Sequence, residues 1–284
     1  MRCTWSRLAA ILPPEFSRQL EATDREAAQE IRLRVNAPPE INLGKTWRQL
    51  SGTVSQENLT RIINLASKYS PWCAETLSQG YLTAPGGHRI GICGSIIVGR
   101  GQRDSLQRVR SVCIRIARDF PGIAGRIKEG AESTLIVGAP GWGKTTLLRD
   151  LARQIAARET VSVVDERGEL FPDGFEPGVR MDILTGVPKP QGIEMVLKTM
   201  GPAYIAVDEI TAEADCRALI HAANCGVRLL ATAHGTGVQD LTERSVYRPL
   251  LERRIFGRIL VLDKNQSYRT ERVRLCGQNG LERC

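Results

Sequence analysis

Thr134-Leu135-Ile136-Val137-Gly138-Ala139-Pro140-Gly141-Trp142-Gly143-Lys144-Thr145-Thr146-Leu147-Leu148-Arg149-Asp150-Leu151 is the stretch whose reading decides the fold. It runs from a buried-strand segment through a glycine loop into a helical segment, the context a Walker A loop requires. The glycines let successive backbone N–H groups turn inward around phosphates, and the helix N-terminus adds its positive end. Gly138, Ala139, Pro140, Gly141, Trp142, Gly143, Lys144, Thr145 and Thr146 are therefore the expected contacts to a nucleotide, ATP. Lys144 is expected to neutralise the β- and γ-phosphates and Thr145 to hold Mg²⁺.

A phosphate loop needs a second acidic centre for magnesium and water. Tyr204-Ile205-Ala206-Val207-Asp208-Glu209 supplies one, as an apolar strand delivering two carboxylates at its C-terminal tip. Ligands of open α/β sheets gather at that edge. Asp208 is assigned to the metal and Glu209 to the attacking water, which it positions or deprotonates. Taken alone, such a pair also reads as a helix cap; its place after a P-loop favours hydrolysis. Two further clusters end strand-like runs: Asp165-Glu166-Arg167-Gly168-Glu169 after Val161–Val164, and His234-Gly235 after Leu229–Ala233. His234 is placed to sense the γ-phosphate or to link neighbouring sites, whereas His88 and His221 read as structural or surface residues.

Working outward, Thr134–Val137, Val161–Val164, Tyr204–Val207, Arg228–Thr232 and Ile259–Leu262 alternate with helical stretches. That alternation predicts a mostly parallel sheet with helices on both faces. Residues 1–118 read as a smaller mixed α/β domain. It carries a helix opened by Ser55-Gln56-Glu57-Asn58, a hairpin through Pro85-Gly86-Gly87, and the alternating run Ser111–Ile116. Residues 119–131 read as a linker, with Pro121, Gly122 and Gly125 at its start, and 132–284 as the nucleotide-binding domain.

The bulk numbers exclude more than they select. At 284 residues, with 42 % hydrophobic and 25 % charged, the chain reads as soluble and globular, with no apolar run long enough for a bilayer. Met1–Leu12 lacks the features of a signal peptide, so a cytoplasmic place is expected. Eight scattered cysteines without a C-x-x-C pair read as buried free thiols. The net charge of +8 admits nucleic acid, a membrane surface or an acidic partner. Lysine supplies only seven of the 39 basic residues, with no basic block and no aromatic-interleaved basic surface, so nucleic acid is not the expected partner.

The order of P-loop, acidic strand-end box, Walker B strand and histidine box resembles the secretion and pilus ATPases of type II and type IV systems. The stretches Val196–Ile210 and Ala222–His234 carry that likeness. A closer resemblance is to one branch, the stage III sporulation protein AA family of endospore formers. Its hallmarks stand here as Val164-Asp165-Glu166-Arg167, Gly178–Leu184, and Pro188-Lys189 followed by Gly192. In the N-terminal half they are Glu30–Arg34, Gly80-Tyr81 and Gly87–Gly94.

The resemblance implies an α/β, RecA-like P-loop domain behind a small N-terminal domain, assembled as a homo-oligomeric ring, expected as a hexamer. It implies Lys144, Glu166, Glu209 and His234 in catalysis, and Asp165 and Arg167 beside the nucleotide. Arg89, Arg115, Arg118 and Arg180 are further candidates to complete the site. It also implies docking on an integral-membrane subunit of a secretion-like channel between mother cell and forespore, at the inner face of the membrane. Trp142, Gly201, Ala203 and Ile210-Thr211 depart from the pattern, and no four-cysteine zinc module is present, so zinc is not expected. Two other readings remain at this point: a nucleic-acid-dependent ATPase, and a nucleotide-gated scaffold with little turnover.

Overall fold

Residues 2–3, 5–67, 80–97, 105–127, 132–172, 174–265 and 267–271 are described in a computed structural model. Residues 128–131 of the expected linker, and Cys73, Cys276 and Cys284, lie outside the described residues. Contacts divide the chain into two units: Met1–Asp119 with Pro172–Phe175, and Phe120–Phe171 with Glu176–Cys284.

The first unit contains β1 (Arg2–Cys3), α1 (Trp5–Ile11), α2 (Pro14–Ser17), α3 (Ala22–Ala27), β2 (Glu30–Arg34), β3 (Glu40–Asn42), β4 (Trp47–Gln49), α4 (Gln56–Ala66), β5 (Tyr81–Ala84), β6 (His88–Ile97), β7 (Ser105–Arg115) and β8 (Arg118–Asp119). Six of these strands form an antiparallel sheet in the order β4-β3-β2-β7-β6-β5. Alternation sorts its faces: Ile31, Leu33, Ile41, Ile90 and Ile114 are buried, while Arg32 and Arg34 are exposed. Ser55 starts α4 as the sequence predicts: its Oγ accepts from Asn58 N at 3.1 Å, and Asn58 Oδ1 accepts from Ser55 N at 2.9 Å. The hairpin between β5 and β6 turns through Gly86 and Gly87 at φ of 90° and 79°, which a side chain would resist.

The second unit is built on β9 (Thr134–Gly138), α5 (Lys144–Ile155), β10 (Val161–Asp165), β11 (Met181–Thr185), α6 (Lys189–Thr199), β12 (Tyr204–Val207), α7 (Glu213–Asn224), β13 (Arg228–His234), α8 (Val238–Glu243), α9 (Arg248–Glu252), β14 (Arg258–Leu262) and β15 (Tyr268–Glu271). Its sheet runs β11-β10-β12-β13-β9-β14-β15, parallel throughout except for β15. Both faces are covered, as parallel sheets require. On one face Ile136, Val163, Ala206 and Leu230 pack with Leu147, Leu148 and Leu151 of α5. On the other Val137, Val207 and Ala231 pack with Ile193 of α6, Leu219 of α7 and Leu250 of α9. The cysteines divide by environment. Cys216 is buried, and burial pushes its thiol up to about 11, whereas Cys93 and Cys225 are exposed, contrary to the expectation of burial. Among the described residues no helix is long and apolar enough to cross a membrane.

Part of the expected linker is folded onto this second unit. Ile123–Arg126 forms a 3₁₀ turn with Ala124 and Ile127 buried in the α5 side of the core. Asp150 of α5 holds it: Oδ1 accepts from Gly122 N at 2.9 Å and Oδ2 from Ala124 N at 2.8 Å. The carboxylate is 2 % exposed and also receives Arg153 and Gln154. Replacing Asp150 with Ala leaves two amides without their acceptor. Thermal unfolding is expected to report a loss of about 1–3 kcal/mol, and an unchanged midpoint would remove this account of the turn.

Candidate functional site

The strand order decides which side chains meet. Walker A strand β9 and acidic strand β12 are separated by one strand, β13, and all three end on the same edge. The tip of β13 therefore lies between the P-loop and the carboxylate pair, and its last residue is His234. In the loop itself, Gly141 and Gly143 take φ of 77° and 91°, the left-handed region where glycine is unstrained. Trp142 N donates to Ala139 O at 3.3 Å, and a Cβ on Gly138 would stand 3.2 Å from Leu262 Cβ.

Two linked chains of contacts converge here. Lys144 Nζ donates to Ala139 O at 3.1 Å and lies 3.0 Å from His234 Nδ1. An ammonium has only protons to offer, so Nδ1 is the acceptor and Nε2 carries the imidazole proton. Nε2 lies 2.9 Å from Glu209 Oε1, and the other oxygen of Glu209 is 4.0 Å from Arg167 Nη1. In the second chain, Thr145 Oγ1 donates to Asp208 Oδ2 at 2.8 Å and Thr232 Oγ1 donates to Asp208 Oδ1 at 2.6 Å. Thr232 Oγ1 in turn accepts from Glu209 N at 2.7 Å. That bond holds Glu209 at a φ of 47°, a conformation costing a side-chain-bearing residue roughly 1–2 kcal/mol. Strain at this position turns the carboxylate off the end of β12.

The electrostatics suit an anion. Lys144 is 7 % exposed, and burial pushes its ammonium below the ordinary lysine value against the pull of Asp208 and Glu209. A triphosphate would supply the negative charge that this desolvated cation lacks. Thr145 and Asp208 form an oxygen pair, one hydroxyl and one carboxylate, of the kind magnesium takes.

Asp165 lines the cleft with Asp208 and Glu209, and its carboxylate is engaged with the backbone. Its carboxylate is 2 % exposed and already holds three amides: Glu169 N at 2.9 Å, Leu170 N at 2.8 Å and Phe171 N at 3.0 Å. Burial pushes it up against those hydrogen bonds, and Asp208 adds to the upward push. Asp165 thus shapes the loop that carries Glu166 and Arg167. Arg149 of α5 grips the same loop, donating to Leu170 O and, at 2.8 Å, to Glu169 O. Glu166 pairs with Lys189 at 2.7 Å, and both line a cleft with Arg167, Asp208 and Glu209. Arg180 lies at the opposite end of the sheet, where β11 begins, on the carbonyl of Arg158. Arg89 and Arg118 are held in the first unit, Arg89 over the Tyr81 ring at 4.6 Å and Arg118 on Ala28 O; Arg115 ends β7.

Thr232, Lys189 and Arg149 are the site residues that sequence reasoning missed. Thr232 had one signal, a hydroxyl inside an otherwise apolar buried strand. A second cavity, of about 680 Å³, opens beside Gly143 and Thr146 and is lined by Phe120, Arg126, Trp142 and Tyr268.

Strand order, P-loop and acidic strand tip together define a RecA-like P-loop protein of the α/β class. Solved structures with this fold include the ATPase DotB of Legionella pneumophila (TM-score 0.61, 18 % identity, 88 % of this chain and 76 % of that one). The pilus retraction motor PilT with bound ADP is also similar (TM-score 0.58, 15 % identity, 85 % and 78 %). Residues 6–274 match the family described as Sporulation stage III, protein AA. The chain is also 34 % identical over 282 residues to stage III sporulation protein AA of Bacillus subtilis, covering 91 % of each. It belongs to the sporulation stage III protein AA family.

Proposed function

We propose that the chain is a Mg-ATP hydrolase and the motor of a secretion-like channel complex in sporulation. It works as a homo-oligomeric ring, a hexamer, at the inner face of the membrane on the mother-cell side, docked on an integral-membrane subunit. The observation that carries the hydrolytic reading is the Thr145–Asp208–Thr232–Glu209 chain meeting Lys144–His234–Glu209 at one sheet edge. A DNA- or RNA-driven ATPase has no comparable support.

Thr145 and Asp208 would hold Mg²⁺, which supplies positive charge to the phosphate oxygens. Lys144 and the amides of Gly141–Lys144 bind and orient the triphosphate. Glu209 takes the proton of the attacking water, with His234 holding one of its oxygens and Arg167 attracting the other from 4.0 Å. The direct test is phosphate release by the purified chain with Mg-ATP, which should stop on chelation of the metal. A chain that binds ATP but releases no phosphate would leave the scaffold reading in its place. Mass measurement with and without Mg-ATP tests the ring, and a strict monomer in both conditions would overturn it.

The 680 Å³ cavity is the place for the base, because it begins where the helix end of the P-loop would leave the α-phosphate. Trp142 and Tyr268 offer flat apolar faces there, and stacking of a base is worth about 1–3 kcal/mol. Tyr268→Ala is expected to weaken ATP binding about 5- to 150-fold while binding of inorganic tripolyphosphate is unchanged. Equal losses for both ligands would place the base elsewhere.

A further inference from the structure

Lys189 is the first residue of α6, and its side chain is 10 % exposed against 39 % for its partner Glu166. Long charged side chains are rarely enclosed without an anionic partner. Here the enclosed member of the pair is the cation, and its ammonium holds the more exposed carboxylate at 2.7 Å. Two features bring it there. Gly192 lets α6 lie against β10, since a Cβ at that position would stand 2.5 Å from Val164 Cγ1. Pro188 is the N-cap in an extended conformation, and Pro190 stands in the first turn, where the N–H it lacks would have no helical partner. The backbone of the Glu166 loop is fixed separately by Asp165 and Arg149. Glu166 therefore has one oxygen held and sits on a loop whose far side, at Glu169 and Leu170, is anchored, in the cleft it shares with Asp208, Glu209 and Thr211.

We propose that Lys189 is a positioning residue of the hydrolytic centre, acting through Glu166; the proposal rests on the hydrolytic reading of this cleft. The ammonium holds Glu166 Oε2, and Oε1 has no protein partner among the described residues. The pair thus presents one free carboxylate oxygen in the cleft that contains Glu209. Lys189 touches neither nucleotide nor water in this scheme, so its loss should slow turnover without weakening substrate binding.

The test is a steady-state comparison of wild type, Lys189→Met, Lys189→Arg, Glu166→Gln and the Lys189→Met/Glu166→Gln double variant. Methionine fills the lysine stem's space in the packed helix start. Lys189→Met should lower kcat about 10- to 100-fold with KM for Mg-ATP within about twofold of wild type. Lys189→Arg should recover most of the rate, and the double variant should be no slower than Glu166→Gln alone. Losses that multiply in the double variant, or a Lys189→Met protein as fast as wild type, overturn the proposal. If Lys189→Met does not fold, Lys189→Arg decides: retention of Glu166-dependent turnover supports it, and turnover insensitive to Glu166→Gln overturns it. A wild-type chain without turnover removes the hydrolytic reading and this proposal together, so the two failures are distinct.

Discussion

Glu209→Gln is expected to lower the rate of ATP turnover by on the order of 10²- to 10⁴-fold while ATP binding is retained. Glutamine keeps the length of the side chain, and its carbonyl oxygen still accepts from His234 Nε2, as Glu209 Oε1 does at 2.9 Å. The backbone at φ of 47° keeps its bond from Glu209 N to Thr232 Oγ1 in both proteins, since the carboxylate takes no part in that bond. What is lost is the proton acceptor, together with the attraction of Arg167 4.0 Å away. Single-turnover phosphate release and nucleotide affinity measured on one preparation separate the two effects. Full-rate release by Glu209→Gln would remove Glu209 from its role, even with every contact around it intact.

The second large effect is on binding. Lys144→Met should abolish the thermal stabilisation that Mg-ATP gives the wild-type chain, which at ligand a hundredfold above Kd amounts to about 2.7 kcal/mol. The nucleotide-free variant, in contrast, should unfold at or above the wild-type midpoint at neutral pH. The sign follows from the environment: burial pushes Lys144 below its ordinary value, so the charged form opposes folding. Below that lowered value the folded protein carries a charge it is poorly solvated to hold, and removing the ammonium relieves that cost. A large drop in the free protein's midpoint would mean that Lys144 contributes more through Ala139 and His234 than burial takes away.

The sheet of the second unit was legible where its strands are enclosed. Val161–Val164, Tyr204–Val207 and Ile259–Leu262 are continuous apolar runs because helices cover both sides of them. The two edge strands were not legible. Met181–Thr185 and Tyr268–Glu271 are partly or wholly exposed along their length, so no burial pattern marks them. In the first unit the same holds for β4, where Trp47 is 51 % exposed; the helices before Glu30 bury Leu8, Ile11 and Phe16 but are too short for a repeating pattern to mark them.

For the site, residues at strand tips were readable because the topology of a parallel sheet sends every such tip to one edge. Lys144, Thr145, Asp208, Glu209 and His234 are brought into hydrogen-bond reach of one another in that way. The pairing of Lys189 with Glu166, and of Thr232 with Asp208, depends on lateral neighbours that only strand order reveals. Asp165 combines the two. Its position at a strand tip puts it in the cleft beside Asp208, but that its carboxylate holds three backbone amides was not readable from the string.

Arg149 and Asp150 are consecutive on α5, one gripping the loop of Glu166 and Arg167, the other the turn at Gly122–Ala124. One helix rising from the phosphate loop is therefore pinned at two sides by neighbouring residues. Any rotation or tilt of α5 on loading the P-loop would bear on the carboxylate loop and on the Gly122–Ala124 turn at once. The helix behaves as an axle with two cranks, and the direction in which each crank turns is set by a single peptide step.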